Sequence, residues 1–184
     1  VTLDGVERKL SAEDLMICSA ERPMCIGGVY GGLDSGVSDT TVNIFLESAY
    51  FNPVSIRRSA KRHGLSTDAS FRFERGIDPN IQVYALKRAA LMMRELAGGK
   101  ISSEIIDLNP TPAEDFVFDV NLDRVNSLIG KAIPESTVRT ILDALEVKIV
   151  KEDARTLTVA VPPYRVDVQR EADLIEDVLR VYGY

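Results

Sequence analysis

The pattern of apolar and polar positions changes character near residue 110. Before it, short apolar blocks alternate with turn-rich stretches. Residues 13–18 and 24–30 read as buried strands, separated by the polar turn Ala20-Glu21-Arg22-Pro23. Gly31-Gly32-Leu33-Asp34-Ser35-Gly36 reads as a loop. Residues 41–51 read as a strand, with Asn43, Phe45, Glu47 and Ala49 on one face and Val42, Ile44, Leu46 and Ser48 on the other. Asn52-Pro53 predicts a helix start, because Asn caps well and Pro suits the first helical position. That helix is expected to run to about Arg62 and stop near Gly64. A second helix is predicted over 80–97, with Val83, Leu86, Ala90, Met93, Leu96 and Ala97 as a core-facing stripe. Ser102–Leu108 reads as another strand.

Asn109-Pro110-Thr111-Pro112 cannot continue regular structure and marks a linker, giving modules at 1–112 and 113–184. The second module opens on the alternating strand Phe116–Val120. Helices are predicted over Leu122–Ile129 and from Pro134, the latter carrying Val138, Ile141, Leu142 and Leu145. Val147–Val150 and Thr156–Val161 pair as a hairpin around Asp153-Ala154, and a last helix covers about 170–182. The order β-α-α-β-β-α suggests a small winged-helix-like module. The fold class is α+β.

Composition narrows the function classes. The 184 residues are 45% apolar and 27% charged, ordinary for a globular chain. A chain of this length buries roughly 70% of its unfolded surface without disulfides or metals. No apolar run reaches the ~18 residues of a membrane span. One histidine and two separated cysteines, Cys18 and Cys25, make neither a disulfide framework nor a usual zinc site, and both thiols are expected buried. The chain starts at Val1 without Met and ends on Tyr182-Gly183-Tyr184, so it reads as a piece of a longer protein. The net charge of −6 is uneven: residues 51–100 hold ten basic and four acidic side chains, whereas residues 1–50 hold three and eight. That is one basic patch on an acidic body, where RNA contact is confined to the patch.

Five groups of residues stand out chemically. Gly27-Gly28-Val29-Tyr30-Gly31-Gly32 matches no phosphate-binding motif; it serves either close backbone packing or a pocket wall that lets a ligand near the main chain. Glu47 inside an apolar strand is costly to bury, so it is either an edge residue reaching water or an arginine, or a hydrogen-bond acceptor in a pocket. Arg57, Arg58, Lys61 and Arg62 crowd one helix with His63; they form a solvated face or meet carboxylates or an RNA backbone. Arg72, Glu74 and Arg75 read as a structural ion-pair cluster. Asp173, Glu176 and Asp177 share a face of the last helix, with Asp167 just before it; this is a solvated acidic face or a site for a hard cation.

Seven segments, in order, carry a resemblance. They are Leu3-Asp4-Gly5; Gly27 to Gly32; Leu46-Glu47-Ser48-Ala49-Tyr50-Phe51-Asn52-Pro53; Arg62-His63-Gly64-Leu65-Ser66-Thr67-Asp68-Ala69-Ser70; Arg72-Phe73-Glu74-Arg75-Gly76-Ile77-Asp78-Pro79; Pro163-Tyr164-Arg165-Val166-Asp167; and Glu171-Ala172-Asp173-Leu174-Ile175-Glu176-Asp177. Together they resemble the β subunits of bacterial phenylalanyl-tRNA synthetases over nearly the whole chain. The resemblance implies that the first module is the C-terminal part of an editing module that hydrolyses tRNA(Phe) mischarged with tyrosine. It implies that the second is the adjacent winged-helix-like module, similar to DNA-binding domains. It further implies a cytoplasmic α₂β₂ enzyme that binds tRNA(Phe) and uses ATP outside this chain. Carried over by motif, Glu47 recognises the tyrosine hydroxyl, and Gly31, Thr67 and Ala69 line the pocket. Asp167, Asp173, Glu176 and Asp177 correspond to a Mg²⁺ site shared with the α subunit, although the family's usual residue at position 177 is Glu, one methylene longer. No catalytic residue is assigned, and part of the pocket, including a histidine, is expected from earlier sequence, so the chain alone is expected to be poorly active. The rival reading is a non-catalytic nucleic-acid-binding or subunit-docking module. DNA binding is disfavoured because the candidate recognition helix sets only Arg139 against Glu135 and Asp143.

Overall fold

The computed structural model describes residues 1–184 and divides into two compact units, Val1–Leu108 and Asn109–Tyr184. The chain is α+β, with two small antiparallel sheets and six α-helices. No helix is long and apolar enough to cross a membrane.

In the first unit, β1 (Met16–Cys18) and β2 (Pro23–Ile26) form an antiparallel hairpin in which Met16 faces Ile26 and Ile17 faces Cys25. The predicted strand over 24–30 is shorter, and only an isolated bridge from Ile26 to Tyr30 follows it. Helix α1 spans Pro53–His63, as its capping signals predict. The Asn52 side chain accepts from the N–H groups of Val54 and Ser55 at 3.0 and 3.1 Å, and Gly64 ends the helix at φ 64°. α2 (Asp68–Phe73) is a short helix without an apolar period; its signal is the reciprocal cap between Thr67 and Ser70. α3 spans Gln82–Ala97. The core is small: Ile26, Val29, Ile56 and Ala60 are buried, with Phe51 and Phe73 in edge-to-face contact at 4.9 Å against them.

Three expectations fail in this unit. Residues 41–51 and 102–108 form no strand, and the stripe on α3 reaches no core, since no residue of α3 is buried. The cause is shared. A strand exists through its ladder and an amphipathic helix through what covers its face. The alternation in 41–51 has strand character, but no strand of this structure pairs with it, and Val42 and Phe45 are 88% and 93% exposed.

The second unit follows its pattern closely. β3 (Phe116–Asn121) leads into α4 (Leu122–Ile129), then α5 (Glu135–Ala144), the hairpin β4 (Lys148–Asp153) and β5 (Thr156–Val161), and α6 (Glu171–Tyr182). The strand order is β3-β5-β4, both pairs antiparallel. Central β5 therefore buries Leu157, Val159 and Val161 completely. Fifteen buried apolar residues make one continuous core, to which α4 gives Leu122 and Val125, α5 gives Val138, Ile141 and Leu142, and α6 gives Leu174, Ile175 and Val178.

Candidate functional site

The first unit contains an open cleft of about 600 Å³. Three segments carry the candidate residues, and the start of α3 (Gln82, Ala85) with Ile77 and Ile81 adds a further wall. The glycine segment supplies Gly28 to Gly31, the stretch before α1 supplies Glu47 to Ala49 and Phe51, and the start of α2 supplies Thr67 to Ala69. Gly31, Glu47, Thr67 and Ala69, distant in sequence, thus share one cleft. Local chemistry explains the shape. At Gly28, φ is +67° and a Cβ would lie 2.6 Å from the Phe51 ring and 2.8 Å from Ile56, so only glycine fits between wall and core. At Gly31 a Cβ would meet Leu3 at 2.8 Å, so smallness there serves packing on Leu3 as well as the cleft.

Glu47 is exposed over much of its area, yet its carboxyl lies against the cleft wall, and that desolvation pushes its pKa above the ordinary glutamate value. Cys25 lines the same cleft half-buried; desolvation, then the nearby Glu47 charge, raises its thiol pKa. Cys18, expected buried, is exposed at the end of β1, where the strand leaves its partner's register. Both thiols are free. The Thr67 hydroxyl donates to the Val29 carbonyl at 2.6 Å and accepts from the Ser70 N–H at 3.0 Å. The cleft therefore holds the Glu47 carboxylate among small and apolar residues, with the second lining carboxylate, Asp68, turned fully to solvent beside Arg72, an arrangement that suits a flat ring carrying a hydrogen-bond donor.

The basic residues of α1 part company. Arg62 bonds Asp14 at 2.6 Å and pairs with Glu13, and Arg57 donates to the Glu74 carbonyl at 2.8 Å. Arg58 and Lys61 remain solvent-facing. The structure also shows a hub that sequence reading missed. The Asp14 side chain is shielded from solvent. It accepts from Ser59 Oγ at 2.7 Å and the Ser11 N–H at 2.8 Å, and meets His63 Nε2 at 2.8 Å. Burial opposes its ionisation, but the bonds from Ser11, Ser59 and His63 outweigh that and hold its carboxyl far below the usual range. His63 is thus a structural partner of Asp14. The only sequence hint was a like-charged helix that needed carboxylates nearby. The Arg72–Arg75 stretch lies on and after α2: Arg75 pairs with Glu74 at 2.9 Å and stacks over Phe71 at 3.5 Å, and Arg72 lies 3.7 Å from Asp68.

The four acidic residues of the second unit are engaged separately. Asp173 accepts from the N–H groups of Gln169 and Arg170 and from the Arg170 guanidinium at 3.0 Å, completing the cap of α6. The Arg170 hydrogen bond is the main reason its pKa is lowered. Glu176 pairs with Arg180 at 2.6 Å. Asp177 is buried and pairs with Arg165, with Arg180 at 3.7 Å from its other oxygen. Asp167 is exposed in the preceding turn. No three His, Cys, Asp or Glu side chains converge to hold a metal ion, so in this chain the set does not fit Mg²⁺ by itself.

Comparison with known proteins agrees with this division. Residues 1–98 match the B3/4 domain model and residues 118–184 the tRNA synthetase B5 domain model. Phenylalanine–tRNA ligase beta subunits of Bacteroides fragilis, Bacteroides thetaiotaomicron and Geobacter sulfurreducens are 63%, 61% and 46% identical across the whole chain. The chain spans 22–23% of their length. The crystal structure of an N-terminal fragment of the phenylalanyl-tRNA synthetase beta-subunit from Pyrococcus horikoshii overlaps 40% of this chain and 21% of its own, at 27% identity and a TM-score of 0.36, too slight an overlap to argue from. On these matches the chain belongs to the B3/4 domain family, followed by a tRNA synthetase B5 domain, and is similar along its whole length to a segment of phenylalanine–tRNA ligase beta subunits.

Proposed function

We propose that this chain is part of the β subunit of a cytoplasmic phenylalanine–tRNA ligase, and that its first unit supplies one side of a pocket that clears tyrosine from tRNA(Phe). The observation that carries the proposal is geometric: Glu47, partly exposed, lines the same largely apolar cleft as Gly31, Thr67 and Ala69. A phenol donates its O–H to Glu47. Phenylalanine in the same place displaces water from Glu47 without supplying a donor, at a cost of about 1–3 kcal/mol. Correctly charged tRNA is spared for that reason. No general base is assigned in this proposal: Glu47 is committed to recognition, and the Asp68 side chain is fully exposed beside Arg72. The aminoacyl ester is already activated, so holding a water near the tRNA's terminal hydroxyl suffices for hydrolysis.

In this proposal the whole enzyme is an α₂β₂ tetramer that uses ATP, outside this chain, to charge tRNA(Phe). The solvent-facing Arg58 and Lys61 serve the RNA backbone, whereas Arg57 and Arg62 hold the fold. A magnesium ion shared with the α subunit needs Asp173, Glu176 and Asp177 released from their arginines, and no step here runs through it. The second unit is a subunit-docking scaffold. Arg139, the only basic residue of α5, is neutralised by Glu135 at 2.6 Å and Glu152 at 2.7 Å, which supports docking over DNA binding.

The test is deacylation of Tyr-tRNA(Phe) and Phe-tRNA(Phe) by the full tetramer, with and without Glu47→Ala. Wild type is expected to clear the tyrosyl ester selectively. The variant is expected to lose most of that selectivity, up to the ~10⁴-fold range of hydroxyl-reading sites. Wild type that clears neither ester overturns the editing assignment and leaves the scaffold role.

A further inference from the structure

Ser70 is 2% exposed and is absent from the cleft lining, yet it is bonded to the residue that joins two of the cleft's walls. Its Oγ accepts from the Thr67 N–H at 2.9 Å and donates to the Thr67 carbonyl at 3.1 Å. Its own N–H donates to Thr67 Oγ1 at 3.0 Å. Thr67 Oγ1 is also 3.2 Å from Ser70 Oγ, but a hydroxyl carries one proton. The shorter contact, 2.6 Å to the Val29 carbonyl, takes it. Val29 is buried in the middle of the glycine wall, and Thr67 begins the α2 wall. The Thr67 hydroxyl proton is therefore committed to Val29 and one of its lone pairs to Ser70, so the group Thr67 chiefly offers a ligand is its methyl.

We infer that Ser70 is a positioning residue for the cleft: by locking the rotamer of Thr67 it fixes the gap between the Gly28–Gly31 wall and the Thr67–Ala69 wall, and with it the fit of the aromatic ring. This rests on the editing reading proposed above. In a hydrolysis without a general base, rate depends on placement. A wall displaced by about 1 Å costs up to ~10²-fold. Thr67 acts here through its bond to Val29, with no polar contact of its own to the ligand.

The experiment is steady-state deacylation by the intact enzyme carrying Ser70→Ala, Thr67→Ser, Thr67→Val or Ser70→Ala with Thr67→Val. Aminoacylation of tRNA(Phe) serves as the control for global integrity. Thr67→Ser keeps the hydroxyl link to Val29 but removes the methyl that lines the cleft, and is expected to lower kcat/KM for Tyr-tRNA(Phe) clearly less than Thr67→Val does. Ser70→Ala and Thr67→Val are each expected to lower kcat/KM for Tyr-tRNA(Phe) by roughly 10- to 100-fold, with kcat falling as well as KM rising, and to shrink the tyrosyl-to-phenylalanyl ratio. The double variant is expected to be no worse than Thr67→Val, because the two residues act through one link. A Ser70→Ala enzyme with wild-type kcat/KM and selectivity, beside a defective Thr67→Val, overturns the inference and makes Thr67 a direct ligand contact. If Ser70→Ala fails to fold, Ser70→Cys, nearly isosteric with a weak donor, takes its place with the same expectations. Wild type that clears neither ester removes the underlying reading, an outcome distinct from a silent Ser70.

Discussion

The two units differ most in how far each satisfies its own apolar pattern. The first, 108 residues long, buries four apolar side chains in its core; the second, 76 residues long, buries fifteen. Helix content does not explain this, since each unit has three helices. The difference lies in closure. In the second unit a three-stranded sheet meets three amphipathic helices, and each stripe finds its complement within the unit. In the first, the α3 stripe is at best half-buried and Val42, Ile44 and Phe45 are exposed, so the small core lies beside the cleft. Hydrogen bonds do much of the holding there: the Asn52 cap, the Thr67–Ser70 box and the Asp14 hub.

Paired truncations test that contrast with the largest expected effects. Leu174 is fully buried on α6, and Leu174→Ala is expected to cost about 2–5 kcal/mol in the transition of the second unit. Leu96 on α3 is largely exposed, and Leu96→Ala is expected to stay within about 0.5 kcal/mol. Urea unfolding read by hydrogen exchange separates the units. A cost at Leu96 matching that at Leu174 breaks the comparison, because it means α3 is covered in solution.

The polar counterpart is Asp14. Asp14→Ala strips Ser59, Arg62 and His63 of their common acceptor and is expected to cost about 2–4 kcal/mol in the first unit. The sign of its pH dependence follows from its lowered pKa. The folded state binds fewer protons than the unfolded state, so the contribution is fully present above the ordinary aspartate value of 3.8. It is lost as pH falls from there toward the depressed folded value. Below pH 4, wild type is therefore expected to lose stability in the first unit more steeply than the variant does, a difference that thermal melts at several pH values will show. Parallel acid limbs for the two proteins refute the role of Asp14 as an ionised hub.

The same contrast decides what was legible in the sequence. All six elements of the second unit follow from period and caps, because local pattern and final burial agree there. In the first unit α1 and α3 were readable from caps and period, but the burial of α3 was not, since periodicity states which face is apolar and not what covers it. α2 escaped because six residues are too few for a period, and its cap pairs Thr67 with Ser70 where a Glu or Gln is the usual signal. The cleft residues Gly31, Glu47, Thr67 and Ala69 came from motif resemblance, and their spatial union is visible only in three dimensions. Asp14 left almost no trace, because one aspartate in a polar turn looks like any other. The acidic face of α6 was plain in the sequence; the arginines that occupy it, Arg165 from the turn and Arg170 and Arg180 at the helix ends, were not.

Good packing in the second unit coexists with local backbone cost. Both non-glycine residues at positive φ, Glu146 at 60° and Ala154 at 49°, lie in it, whereas the first unit fills such positions with glycine. Ala154 sits in the two-residue turn between β4 and β5, where left-handed backbone disfavours a Cβ by about 1–2 kcal/mol. Part of that is offset by the larger entropy that glycine loses on folding. Ala154→Gly is therefore expected to stabilise the second unit by about 0.5–1 kcal/mol, or roughly 2–8 °C in its melting midpoint. Glu146 provides the control. Its side chain accepts from the Tyr164 hydroxyl at 2.6 Å, so Glu146→Gly relieves the same backbone but loses that bond, and its gain is expected to be smaller or nil. Calorimetry of both variants decides the point. If Ala154→Gly gives no gain, the strain has been absorbed by the flanking β4–β5 ladder, and packing rather than turn chemistry sets the geometry of this hairpin.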